Sequence, residues 1–202
     1  MKKLLILILV FVIGFSEVFA DEYIVSNIEC VDAKYMNNRE LKLKYDDEDD
    51  VYYLCRYTHS AIYWFSLTPT KMEMLRANIK KAQEWAILAK ENKSTITKEL
   101  PNSTIKVSGT MKRGNEWFST RNDISLNFFF VSHITDEGEI TTLLLRGDEE
   151  ESRQNQFVDI EFESVVFVNK DIDAFLDAIS PESISAAKER HAAEKKSADM
   201  FN

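Results

Sequence analysis

The sequence predicts an α+β fold, mainly antiparallel β-sheet, laid out as two successive strands-then-helix units and completed by a weak C-terminal helix. Three observations carry this expectation. Thr68 to Asn92 is the one long helical pattern with β-like sequence on both sides. Period-two alternation of apolar and polar residues, the mark of a half-buried strand, recurs before and after it, in Leu41, Leu43, Tyr45 and in Ile105, Val107, Gly109, Met111. A shorter helical pattern, Asp171 to Ile179, then closes the second half, so the expected units are residues 21–93 and 94–180, with a polar helical tail at 181–202.

Met1 to Ala20, MKKLLILILVFVIGFSEVFA, has two lysines, an apolar run from Leu4 to Phe15, and Val18 and Ala20 at the small-residue positions before a cleavage point. This is the pattern of a secretory signal peptide cleaved after Ala20. The run is shorter than the roughly 20 residues that span a bilayer, so no transmembrane segment is expected after cleavage. The basic start suits a bacterium, which places the mature chain in the periplasm or outside the cell. Cleavage leaves 23 basic and 33 acidic residues (23 − 33 = −10). Such a surface repels phosphate backbones and anionic lipid, so nucleic acid is not an expected partner.

In the first unit, Tyr23 to Val25 and Ile28 to Val31 are apolar patches, and the Leu41–Tyr45 alternation follows a polar connection. The acidic run Asp46 to Asp50 interrupts, and β-branched and aromatic residues return in Val51 to Tyr57 and Ala61 to Leu67. Three or four antiparallel strands result. Cys30 and Cys55 are the only cysteines, read as lying in adjacent strands, and an oxidising compartment makes a Cys30–Cys55 disulfide the expectation. Closing about 25 residues is worth on the order of 3 kcal/mol. DDEDD lacks the glycine and later glutamate of an EF-hand, so it reads as a solvated turn rather than a cation site.

The central helix has an apolar stripe of Met72, Leu75, Ile79, Ala82, Ala86 and Ala89, a start at Pro69 capped by Thr68 or Thr70, and Asn92 as its left-handed cap. In the second unit, Ile105 to Met111 is a one-face-buried strand. Glu116 to Ser119 is a short one, and Ile124 to Val131 has apolar groups on both faces and reads as central. Asp136-Glu137-Gly138 signals a hairpin into Ile140–Leu145, and Gly147 to Gln156 reads as a polar loop. Val158, Ile160, Phe162, Val166 and Val168 are assigned to the core, opposite an acidic strip of Asp159, Glu161 and Glu163. The helix at 171–179 uses Ile172, Phe175, Leu176 and Ile179. The tail after Pro181 has too few large apolar groups to anchor itself, and His191 is expected in solvent.

The order strands, helix, strands, helix is similar to that of the Whirly and PUR-type single-strand-binding folds, a resemblance of element order alone. Their ligand class needs a basic groove with stacking aromatics. The acidic chain lacks that charge.

No motif marks catalysis, a metal or a cofactor. Five glycines without clustering form no phosphate-cradling loop, and no Gly-x-Ser-x-Gly surrounds a serine. Function is therefore read partly by elimination: a secreted or periplasmic, non-enzymatic binding protein acting on an envelope or extracellular protein or a small apolar ligand. The positive sign is the ring content of the strands, in Tyr52, Tyr53, Tyr57, Tyr63, Trp64, Trp117 and Phe129. The alternative is a small secreted hydrolase or metal-binding protein using His59 and His133 with an acid such as Asp136, which requires those side chains to converge.

Overall fold

The computed structural model describes residues 22–135 and 138–200. Met1 to Ala20 and Asp136 lie outside them. The chain begins as a four-strand antiparallel meander, β1 (Glu22–Asp32), β2 (Asn38–Asp46), β3 (Val51–Tyr57) and β4 (Ile62–Leu67). The two apolar patches at the start form one strand. A bulge between Ile24 and Ser26 shifts the phase, so Tyr23 and Val25 face inward together with Ile28 and Cys30.

Helix α1 (Pro69–Asn92) starts where its sequence signals place it: the Thr68 hydroxyl accepts from Lys71 N–H at 3.3 Å, and Pro69 opens the first turn. Its other end differs from expectation. Lys93, at φ 49° and ψ 47°, takes the left-handed cap, while Asn92 stays helical and donates its side-chain amide to Leu88 O. Met72, Leu75, Ile79, Ala82 and Ala89 are buried. Each of the three large ones stabilises the docked helix by about 1.5–3 kcal/mol. The small Ala82 allows close approach, and Trp85 meets Phe130 edge to face at 5.9 Å.

After α1 come β5 (Ile96–Glu99), β6 (Ile105–Val107), β7 (Gly109–Arg113), β8 (Glu116–Ser119), β9 (Ile124–Thr135) and β10 (Gly138–Gly147). Then follow β11 (Glu149–Glu151), β12 (Asp159–Glu161), β13 (Val165–Val168), α2 (Lys170–Ala178) and α3 (Pro181–Asp199). β5 and β11 had no alternation to reveal them, and β11 occupies the expected polar loop; β12 falls within the alternation read from Val158 to Phe162. Ile160 and Phe162 face the core as expected, but the irregular step at Glu163 and Ser164 inverts the phase. Val165 and Phe167 are the buried residues of β13, and Val166 and Val168 turn outward.

Strands from both halves of the chain join one antiparallel sheet in the order β5-β9-β10-β13-β1-β2-β3-β4-β7-β8, with β6 also beside β9. This differs from two units that each cover their own sheet. The two halves meet where β13 pairs with β1 (Val31↔Val166) and where β7 pairs with β4 (Phe65↔Gly109). Separate four-strand sheets would leave several unpaired edges, and merging them satisfies those backbone groups. Only Ser108 separates β6, bonded to β9, from β7, bonded to β4, and Ser66 N–H donates to Ser108 O at 3.0 Å. The 105–113 segment thus joins the two ends of the sheet and closes a ring of strands.

The ring's inner surface holds the core, with Leu41, Leu43, Leu54, Phe65, Met111, Leu126, Phe128, Phe130, Leu143, Leu145 and Phe167 buried against α1 and α2. The ring is weakest at β1–β13, where only two residue pairs form. There α2 fills in: Ile172 and Phe175 are buried, Phe175 stacks on Phe167 at 4.3 Å, and Ser26 Oγ donates to Ala178 O. The first turns of the tail are anchored, while residues 192–198 are exposed as expected. Ser180 caps α3, Ile184 and Ala187 are buried, the Arg190 side chain donates to Ile24 O, and Lys188 lies 4.0 Å over the Tyr45 ring. His191 stacks on Tyr23 at 4.2 Å. Rings and an arginine replace the missing aliphatic groups.

Candidate functional site

Cys30 and Cys55 do not form the expected disulfide; both are free and buried. Strand pairing explains it. Cys30 lies opposite Arg39 of β2, and Cys55 opposite Lys42 of the same strand, so β2 separates the two strands that carry them. Two strand spacings amount to roughly 10 Å, beyond the roughly 7 Å between Cα atoms that a disulfide tolerates. Arg39 and Lys42 are also an odd number of residues apart, which sends the two thiols to opposite faces. Burial, with Asp32 adding to it, pushes the Cys30 thiol up to about 12, and burial likewise pushes the Cys55 thiol up. Neither ionises readily.

The histidines are not assembled into a joint site. The row Leu144, Val166, Val31, Asn38 leads across the sheet to the end of β3 beside which His59 turns. His133, opposite Ile140, lies four residues off that row and at least three strands from β3 whichever way round the ring. Four residues alone are roughly 13 Å of strand. The acidic turn is equally committed. Asp46 Oδ1 accepts from the N–H groups of Glu48 and Asp49, Asp50 accepts from Tyr45 OH at 2.6 Å, and Asp47 accepts from Tyr23 OH. Among the described residues no group of three or more His, Cys, Asp or Glu is placed to hold a metal.

The rings divide between the two faces. Tyr52 and Tyr63 turn inward, opposite Leu67 and Met111, while Tyr53, Tyr57, Trp64, Trp117 and Phe129 turn outward. Four of the outward rings lie on β3, β4 and β8. The cross-strand row Tyr57↔Ile62↔Lys112↔Trp117 runs beside the row Lys42↔Cys55↔Trp64↔Thr110↔Ser119. Trp64 and Trp117 meet at 5.1 Å between centroids, tilted by 32°. Lys42 and Lys44 lie 5.2 and 6.0 Å over the Tyr57 ring, and Lys112 lies 5.2 Å over Trp117. Cation–π contacts of this kind are worth about 0.5–1 kcal/mol when exposed. Trp117 is 44 % and Tyr57 40 % exposed. Lys42 and Lys44 also pair with Glu40 and Glu22 at 3.6 and 3.3 Å, so the face offers rings framed by charges of both signs.

Concavities open elsewhere. A cleft of about 620 Å³ between α1, β10 and α2 is lined by Ile87, Ala86 and Ile172 but also by Lys90, Glu139 and Asp173. At its edge Asn169 has φ 49° and ψ −114°. That backbone is stabilised because Asn169 completes a rung to Thr141, its N–H donating to Thr141 O and its Oδ1 accepting Thr141 N–H, both at 2.8 Å. A second pocket, of about 560 Å³, sits where the turns after β1 and β3 meet and contains Arg39, Arg56 and His59.

No described helix is long and apolar enough to cross a membrane. Compared with protein families, curated proteins and solved structures, the chain matches none.

Proposed function

We propose that this chain is an exported, non-enzymatic binding protein whose outward face on β2, β3, β4, β7 and β8 docks onto a partner protein of the envelope or extracellular space. One observation carries the proposal: the Trp64–Trp117 pair, with Tyr57 and the stacked lysines, lies on the face of the sheet that has no core to fill. Large rings kept partly in water cost solubility, and they concentrate where a partner covers them. The paired charges around the rings favour a partner whose docking surface has an apolar centre and a polar rim. The Met1 to Ala20 pattern supports export, and the separation of His59 from His133 supports a binding role over hydrolysis.

The test compares the wild-type mature protein with Trp117→Ala and Trp64→Ala as bait in its own envelope fraction, after matching their thermal melts. A central tryptophan of an interface contributes 2 kcal/mol or more, about thirtyfold in affinity. Both variants should lose the captured partner while Ile87→Ala, on the exposed side of α1, keeps it. Equal capture by all four proteins rejects the face. N-terminal sequencing of the exported protein should begin at Asp21; a retained Met1 rejects export.

A further inference from the structure

The pocket of about 560 Å³ beside the turns at 33–37 and 58–61 falls within the range of roughly 300–1,000 Å³ typical of small-ligand sites. Its chemistry is unlike the rest of the surface. Two guanidinium groups, Arg39 and Arg56, line it together with Glu163, and Asp32 pairs with Arg39 from behind. Arg56 is 8 % exposed, stands 5.6 Å over the Tyr63 ring, and pairs through one terminal nitrogen with Glu163. A guanidinium has five N–H donors. Among the described residues Glu163 is the one acid that pairs with Arg56, so further donors face the pocket.

Arg39 is held in a different way. Its Nε lies 3.3 Å from Asp32 Oδ2 but meets no aligned hydrogen-bond acceptor among the described residues, so charge alone holds it. Asp32 itself is buried behind the pocket, with its other oxygen committed to the N–H groups of Lys34 and Tyr35 at 2.9 and 2.8 Å. Arg39 is thereby fixed at its root while its terminal nitrogens stay open. The walls are flat: Tyr35 (59 % exposed), Tyr57 (40 % exposed) and Tyr63.

We propose that this pocket binds a small planar carboxylate, with the carboxyl group bridging Arg39 and Arg56 and the ring of the ligand lying against tyrosine. Guanidinium matches a carboxylate in plane and spacing, which favours it over a spherical anion, and the flat walls favour an aromatic body over an aliphatic one. The pocket shares Tyr57 with the Trp64–Trp117 face but takes its charge from Arg39 and Arg56, which that face lacks, so Arg39→Gln and Trp117→Ala tell the two assignments apart.

The probes are benzoate, benzamide and inorganic phosphate at equal ionic strength, titrated into the full chain by calorimetry. Benzoate should bind one to one, at least tenfold tighter than either of the others. Arg39→Gln should weaken benzoate tenfold or more while melting within a few degrees of wild type, since Arg39 is partly exposed. Arg56→Lys tests the buried partner: it keeps the charge facing Glu163 but loses the fork and should weaken benzoate similarly, whereas Trp117→Ala should leave binding unchanged. Benzamide or phosphate binding as tightly as benzoate overturns the proposal, as does saturable binding to Arg39→Gln with wild-type affinity or no heat with benzoate at tens of millimolar.

Discussion

Gly147 marks the closest backbone approach among the described glycines, and replacing it by alanine tests the packing of the sheet against its β12–β13 connection. A Cβ there would overlap Phe162 Cβ, lie 2.5 Å from Phe162 O and lie 2.8 Å from its Cδ1. Two of those three atoms belong to the backbone or its first carbon, so no rotamer change relieves the overlap. Phe162 must move, and with it the edge-to-face contact with Phe65 at 4.9 Å. Overpacking costs about 1–3 kcal/mol, and an obstacle that cannot rotate away belongs at the upper end. The lost freedom of the unfolded chain returns about 0.4–1 kcal/mol. The net of about 2 kcal/mol corresponds to a melting temperature lower by roughly 4–8 °C for a chain of this size.

Two other glycines calibrate the result. At Gly109 an added Cβ meets Thr120 Cγ2, Ile160 Cγ2 and Ile124 Cδ1 at 3.0, 3.1 and 3.2 Å, side-chain ends that can yield, so Gly109→Ala should cost less. At Gly114 nothing lies within 4 Å, and only the left-handed φ of +60° penalises alanine, by about 1 kcal/mol. Circular dichroism melts and urea titrations of the three variants, with m-values compared, read the order directly. A Gly147→Ala protein melting within about 1 °C of wild type refutes the close approach of β10 to Phe162.

Two further outcomes follow from buried groups. The protein, purified without reductant and then denatured, should show two titratable thiols per chain, and adding reductant should leave its melting temperature unchanged; a fall of several degrees would mean that a cross-link worth about 3 kcal/mol had been broken, against the opposite-face placement of Cys30 and Cys55. Burial alone would raise the Asp32 carboxyl, but the N–H groups of Tyr35 and Lys34 and the Arg39 guanidinium outweigh it and hold the group below the usual carboxylate range. A depressed acid contributes stability that is complete above its unfolded value of about 4 and is lost as pH falls through the folded value. Wild type should therefore lose melting temperature between pH 5 and pH 3 more steeply than Asp32→Asn; parallel curves would show that Asp32 stays neutral or unpaired.

Much of the local structure was legible in the residues. Thr68-Pro69 and the stripe from Met72 to Ala89 placed α1, because capping and a 3.6-residue period act within one segment. Alternation placed β2 and β7 and the side of each that is buried; β9, read as buried on both faces, buries Ile124, Leu126, Phe128 and Phe130 and turns Phe129 outward. Phase failed where one residue breaks the period, at the Ile24–Ser26 bulge and at Glu163–Ser164, since either step reverses every later side chain. The rings that make up the proposed face were visible as a surplus. Which of them point outward was not, because Tyr52 and Tyr53 are chemically equivalent until a register is chosen.

The sequence by itself determined the α+β class, the antiparallel strands and the helices, since each is set by neighbours within a few positions. Only the tertiary structure decided that β13 pairs with β1 and β7 with β4, that β2 separates the two cysteines, and that Arg39 and Arg56 meet in one pocket. Such pairings depend on which exposed edges find each other after long loops close. Backbone edges carry the same donors and acceptors in every strand, so partner choice is written in the packing of the whole chain.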